Sequence, residues 1–268
     1  MTDVHDPRFR RQGHSISFSF DGVNVDAIAG QSVAAALSEA GIRVLRRDRD
    51  GDGRGLFCGM GVCFECTVSV NGGNATRACL TKAEDGMDIR SLDYLSPVEA
   101  NDRSAGKQTI SANAEEIDVL IIGAGPAGLT AADRLGNQGL SVVVVDERPD
   151  LGGQFFKPLA PSHAFAEGVS ADDQYADGAH LIEHIQGSDA EILTGATVWG
   201  AERTANAAYH IVLNVGEGSR RFSPKRLIIA AGAYERPCVF PGWTRPGVMM
   251  TGAAQGLLRS YRSVPGRA

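Results

Sequence analysis

A chain of 268 residues, 43% hydrophobic and 22% charged, is long enough for about two domains and apolar enough to give each a core. A formal net charge of −6 speaks against nucleic acid as a partner, and no stretch approaches the roughly 18 apolar residues of a membrane span. The opening M-T-D-V-H-D-P-R-F-R-R lacks the apolar stretch of a signal peptide, and the cysteines are odd in number and clustered, which suits a reducing, cytoplasmic setting better than a disulfide framework.

Residues 1–14 are polar and are expected to be flexible. Ser15 to Phe20 alternates Ile16, Phe18 and Phe20 with serines, a strand pattern. Asp21-Gly22 is a hairpin turn, and Val23 to Ala27 returns as a second strand. Ser32 is placed to cap a helix whose buried face is Val33, Ala36, Leu37 and Ala40, and Gly41 ends it. Arg43, Arg46, Arg47, Arg49 and Arg54 alternate with Asp48, Asp50 and Asp52, as in a solvated loop.

Four of the five cysteines follow, spaced C-x4-C-x2-C-x12-C: Cys58, Cys63, Cys66 and Cys79. A [2Fe-2S] cluster takes four thiolates, two per iron, and this is the plant-type ferredoxin spacing. Gly59 and Gly61 would let the loop wrap tightly and turn its N–H groups toward sulfur. The alternatives are a zinc site, which favours paired C-x2-4-C knuckles, and buried structural thiols. Thr67 to Val70 and Ala75 to Cys79 form a second hairpin around Asn71-Gly72-Gly73-Asn74. If those four residues are the loop, Val70 faces Ala75 and Cys66 lies opposite Cys79. Asp88 to Arg90 reads as a closing strand. Hairpin, helix, cysteine loop and hairpin are the parts of an α+β β-grasp ferredoxin-like domain over residues 15–96. Cys238 stands apart and reads as a small buried hydrophobe.

Residues 97–116 are small and polar without period, and read as a linker. An α/β pattern then begins. Asp118 to Ile122 is a buried strand, Gly123-Ala-Gly125-Pro126-Ala127-Gly128 a turn, Leu129 to Gln138 a helix, and Ser141 to Val145 a second buried strand. In a Rossmann-like unit Gly123 makes the turn, Gly125 admits a pyrophosphate at the helix N-terminus, and Gly128 lets helix and strand pack closely. Asp146, with Glu147 beside it, would accept hydrogen bonds from the adenosine ribose. Gly152-Gly153-Gln154 follows, then a helix over Asp172 to Gln186. Strands are expected over Glu191 to Val198, Ala208 to Val215, Arg221 to Pro224, and Leu227 to Ala231, the last ending at Gly232. From Tyr234 the chain is loop-like until a short helix over Gly252 to Tyr261.

Residues 118–156 resemble flavoprotein reductases. The stretch A-A-G-A-Y-E-R-P-C-V-F-P-G-W-T-R-P-G-V-M-M-T-G-A-A-Q-G-L-L, 230–258, resembles the large FAD-bearing subunits of glycine-oxidising cyanide synthase, opine oxidase, hydroxyproline dehydrogenase and heterotetrameric sarcosine oxidase. Residues 56–89 resemble the small [2Fe-2S] subunit or domain of the same systems, and the four cysteines favour the cyanide synthase, opine oxidase and dehydrogenase branches. In two-dinucleotide flavoproteins the segments carrying Gly153, Gln154, Ala231 and Gly232 belong to the FAD half, so the resemblance implies FAD. It also implies a hetero-oligomer in which a separate oxidase-like flavoprotein subunit oxidises a small amine or amino acid, with any inner-membrane association arising through partners. By the family pattern the FAD domain, 117–268, lacks its C-terminal part, because a second nucleotide unit would begin after Pro265-Gly266-Arg267. Two other functions fit the motifs: an NAD(P)H-dependent flavoprotein reductase, and a non-catalytic [2Fe-2S] carrier with a vestigial flavin domain. No residue is assigned as catalytic. His180 and His184, at helical spacing, read as surface or packing residues.

Overall fold

The computed structural model describes residues 7–93, 113–203, 208–216 and 218–263. The elements are β1 (Phe9–Arg11), β2 (Ser15–Phe20), β3 (Val23–Ile28), α1 (Val33–Glu39), β4 (Arg46–Arg47), β5 (Gly53–Arg54), β6 (Thr67–Val70), β7 (Ala75–Arg77), β8 (Asp88–Arg90) and β9 (Glu115–Ile122). They continue with α2 (Pro126–Leu135), β10 (Val142–Val145), β11 (His163–Phe165), α3 (Asp173–Gln186), β12 (Glu191–Leu193), β13 (Ala196–Arg203), β14 (Tyr209–Val215), β15 (Gly218–Ile229) and α4 (Thr251–Tyr261). Two compact units result. The first joins the described residues up to 93 with Leu159–Ser170 and those from Tyr234 onward; the second holds the remainder. The expected linker lies largely outside the described residues.

In the first unit the sheet order is β3-β2-β8-β6-β7. The hairpin β2/β3 pairs Phe18 with Val25 and Ile16 with Ala27, placing their apolar side chains on one face. Against that face α1 buries Val33 through Ser38, and the Ser32 hydroxyl caps it by accepting from the Ala35 N–H at 3.2 Å. Gly41, at φ +80°, follows the helix. Phe18, Leu37, Val68 and Ile89 are at the centre of the core. Leu257 of α4 is buried in the same core, so a residue far along the chain completes the β-grasp.

Three expectations change here. The β6/β7 register is one residue different: Ser69 faces Ala75, and the Ala78 N–H donates to the Cys66 carbonyl at 3.0 Å. The turn is tighter than four residues, with Asn71 and Gly72 at φ +51° and +70° and the Gly73 N–H closing onto Val70 O at 2.9 Å. Asn74 therefore falls outside it, and the cross-strand backbone partner of Cys66 is Ala78 rather than Cys79. Second, residues 9–11 are not frayed, because β1 pairs antiparallel with β11 and the Arg262 guanidinium stacks 3.7 Å over the Phe9 ring. Third, the arginine-rich segment is a built hairpin. β4 pairs with β5, Arg54 binds Asp48 at 2.6 Å, and Arg46 binds Glu65 at 3.0 Å with most of its side chain covered.

The second unit has sheet order β12-β10-β9-β15-β14-β13, parallel from β12 to β15 and antiparallel beyond. Alternate valines of β10 serve different cores. Val142 and Val144 meet Leu129, Ala132 and Ile185 of α2 and α3, while Val143 and Val145 meet Ile211, Leu213 and Phe222. The helix expected from Leu129 begins at Pro126, because Gly125 is the N-cap and proline suits the first turn. The stretch 191–198 breaks at Gly195, φ +62°, into β12 and β13. Residues 218–229 form one strand through Pro224. That proline lies beyond the span paired with β14 and is in register with Ile117 of β9.

Candidate functional site

Cys58 and Cys66 are buried, and Cys63 and Cys79 are half-buried. The loop turns through Gly59 and Gly61, at φ +63° and +85°, and through Phe64 at +60°. These turns aim main-chain donors at sulfur. The Met60 N–H donates to Cys58 Sγ at 3.3 Å and the Glu65 N–H to Cys63 Sγ at 3.5 Å; the N–H groups of Val62 and Gly61 face Cys58 and Cys79.

The thiols form two facing pairs. Cys63 donates toward Cys58, which lowers the Cys58 pKa and raises that of Cys63; Cys66 donates toward Cys79 with the same result. Among the described residues no three His, Cys, Asp or Glu side chains converge on a single ion position. Two thiol pairs with amide donors around them fit two bridged irons, and a single tetrahedral zinc would need all four thiols about one point.

Several neighbours of this loop carried no signal in the sequence. Arg77 Nη1 donates to Gly61 O at 2.7 Å, and its guanidinium lies 5.2 Å from the Phe64 ring centre. Arg46 ties Glu65, between Cys63 and Cys66, to the β4/β5 hairpin. The first turn of α4 lies on the loop: the Met250 N–H donates to Phe57 O at 2.9 Å, and a β-carbon on Gly59 would stand 2.7 Å from Ala253 Cα. Cys238, expected to be buried, is exposed, as are its neighbours in the run 231–241.

In the second unit the glycine turn sits at the carboxyl end of β9. A β-carbon on Gly128 would be 1.8 Å from Gly123 O, so only glycine allows α2 this approach. Gly153 packs its backbone on Gly125, with a β-carbon position 2.7 Å from Gly125 Cα, and the Gly152 N–H donates to Ala124 O at 2.9 Å. Asp146 Oδ2 accepts from the Ala124 N–H at 2.7 Å and Oδ1 from the Arg148 N–H at 2.8 Å. The acid thus braces the turn, and each oxygen keeps a lone pair for a further donor. Pro126 and Ala127 form the first turn of α2. Glu147 is exposed beside Asp146, and Gln154 is half-buried after Gly153. Ala231 reaches the turn as well, its Cα lying 3.1 Å from a β-carbon position on Gly123, while Gly232 next to it is exposed at φ +69°. The residues expected to bind a dinucleotide therefore lie around one turn. His180 and His184 are exposed, with rings 4.5 Å apart.

A thiol-paired β-grasp loop and a braced strand–glycine turn–helix define the class, an iron–sulfur flavoprotein. Residues 13–94 match the 2Fe-2S iron-sulfur cluster binding domain, and residues 117–263 match the pyridine nucleotide-disulphide oxidoreductase family, to which the chain belongs. Its cofactors are a [2Fe-2S] cluster and FAD. An opine oxidase subunit of Agrobacterium tumefaciens is 38% identical over 152 residues, 55% of this chain and 30% of that protein. The HcnA component of hydrogen cyanide synthase from Pseudomonas protegens is 35% identical over 81 residues, 30% of this chain and 77% of that protein. Among solved structures, L-proline dehydrogenase from P. horikoshii superposes with a TM-score of 0.76 at 25% identity, covering 96% of this chain and 49% of that one. The chain thus covers about half of the dehydrogenase chain and about a third of the opine oxidase protein. No described helix is long and apolar enough to cross a membrane.

Proposed function

We propose that this chain is the electron-relaying part of a multi-subunit oxidoreductase acting on a small amine or amino acid, with substrate oxidation on a separate oxidase-like flavoprotein subunit. The observation that carries this reading is the presence, in one chain, of two facing thiol pairs and a braced strand–glycine turn–helix. Relatives named as oxidase and synthase subunits support a hetero-oligomer.

Cys58 and Cys63 would hold one iron and Cys66 and Cys79 the other, with the amides of Met60, Gly61, Val62 and Glu65 directed at the sulfurs. Gly123, Gly125, Pro126, Ala127 and Gly128 would present the amino end of α2 to the FAD pyrophosphate. Asp146, with Glu147, would take the ribose hydroxyls on its remaining lone pairs. Gly153, Gln154, Ala231 and Gly232 would line the same turn. When bound, FAD can exchange electrons in pairs or one at a time, and the cluster exchanges them singly. The protein's task is to bind, orient and shield them. A partner polypeptide would cover the exposed stretch 231–241.

The test is purification of the chain, assay of iron, sulfide and flavin, and reduction trials. The expected result is about two irons per chain, bound FAD, and electrons accepted from an oxidase-like subunit supplied with glycine or proline, but not from NADH alone. Rapid reduction by NADH without a partner would instead make it a self-contained reductase. A loaded cluster with no flavin, even beside the partner, would make it a simple carrier.

A further inference from the structure

α4 is eleven residues long and opens on the cysteine loop. Its N-cap residue and two residues of its first turn touch three residues near Cys58. The Met250 N–H donates to Phe57 O at 2.9 Å, a β-carbon on Gly252 would stand 3.4 Å from Met60 Sδ, and Ala253 lies against Gly59. Met60 in turn donates its N–H to Cys58 Sγ at 3.3 Å. The amino end of a helix carries a partial positive charge on its unpaired N–H groups. The N-cap residue, Met250, has no side-chain oxygen to satisfy them. A carboxylate from elsewhere does so: Glu235 Oε2 accepts from the Gly252 N–H at 2.6 Å. The same oxygen lies 2.8 Å from the β-carbon position on Gly252 that neighbours Met60 Sδ. A full negative charge is therefore fixed within one residue's width of the loop that carries Cys58 and Cys63.

We propose that Glu235 sets the reduction potential of the cluster, offsetting the positive end of α4 so that the reduced, more negative state is held down. This rests on the reading that Cys58, Cys63, Cys66 and Cys79 hold the cluster. The physical reason is simple. Reduction adds one electron to the cluster, and a fixed carboxylate nearby opposes that electron while bare helix N–H groups favour it. Glu235 acts through charge and through the helix end, and it is a positioning residue. Because it is exposed, its influence should shrink as ionic strength rises.

The test is a mediated redox titration of the full chain, followed by the visible absorption of the cluster and by the electron paramagnetic resonance of its reduced form. Glu235→Gln keeps an oxygen for the Gly252 N–H and removes the charge. At the wild-type midpoint its reduced-to-oxidised ratio should rise by roughly threefold or more, and the difference should narrow in high salt. Glu235→Asp, which keeps the charge, should titrate close to the wild type. Thr251→Glu adds a carboxylate to the same helix end without disturbing Glu235, and its midpoint should fall. Loaded clusters with unchanged midpoints in both Glu235→Gln and Thr251→Glu would overturn the inference. If Glu235→Gln fails to fold, the Thr251→Glu midpoint decides alone. Absence of any cluster in the wild type would instead overturn the assignment of the cysteines.

Discussion

Ala253 blocks any side chain at Gly59: a β-carbon there would stand 2.7 Å from the Ala253 Cα and 3.0 Å from its methyl group. Gly59 also sits at φ +63°, so two separate constraints demand glycine between Cys58 and Met60. Gly59→Ala should lose most of its iron and be destabilised by about 2–4 kcal/mol, from strain plus displacement of α4. Gly72→Ala is the control. Gly72 has a similar φ of +70° but open space around it, so iron should stay bound and stability should fall by only about 1 kcal/mol. Iron per chain and a denaturant titration measure both.

Leu257 lies in the β-grasp core although it comes almost 180 residues after Cys79. Leu257→Ala should cost about 2–5 kcal/mol, and the loss should appear in the unit that carries the cysteines. Bleaching of the cluster's visible absorption during denaturation should shift to lower denaturant. An unshifted cluster signal would show that α4 does not support this core.

The four proposed ligand cysteines lie in thiol pairs, and the fifth stands apart. Cys66→Ala leaves Cys79 without the neighbour it faces and should abolish cluster assembly. Cys238→Ala removes an exposed thiol and should leave iron and sulfide content unchanged. Equal loss in both variants would contradict the ligand set.

Gly128→Ala would force a methyl group to within 1.8 Å of Gly123 O, at the turn where Gly125 and Gly153 also meet. The expected outcome is loss of bound flavin and destabilisation of the second unit by several kcal/mol, about 3 or more. The cluster absorption of the first unit should persist. Retention of flavin at the wild-type level would remove this turn from the cofactor site.

Asp118 accepts from Lys225 Nζ at 2.7 Å and from Ser141, and its carboxyl is held down at about 2, first by Lys225 and then by Ser141. A carboxyl depressed on folding adds stability above its unfolded pKa of about 4 and loses it as the pH falls through the folded value. Stability should therefore decline between roughly pH 4 and pH 2, and Asp118→Asn should flatten that part of the profile. Parallel profiles for the two proteins would show that Asp118 contributes nothing there. The pair is exposed, so the difference should be small and should diminish in salt.

Much of the site was legible because it depends on local chemistry. The cysteine spacing, the glycines at 59 and 61, and the G-A-G-P-A-G turn between strand and helix are short-range constraints, and a short window shows them. The hairpin register was not legible to within one residue. Asn71-Gly72-Gly73-Asn74 admits a turn centred on either pair, and only cross-strand packing chooses between them. The burial of Cys238 was misjudged because cysteine is usually buried, yet it lies in the exposed run 231–241. Arg46, Arg54 and Asp48 looked solvated because alternating charges usually are; the β4/β5 hairpin brings them into contact.

The local sequence held the elements of the proposed chemistry: four cysteines at cluster spacing, a glycine turn with an acid after the next strand, and most of the strands and helices that carry them. These are set by backbone conformation and by residue types within a few positions of one another. The tertiary structure alone decided that α4 lies on the cysteine loop with Glu235 on its first turn, that Leu257 fills the β-grasp core, and that Gly153 locks onto Gly125. Such contacts join segments tens to hundreds of residues apart. They follow from how apolar faces are buried together, and no local pattern in the chain encodes that pairing.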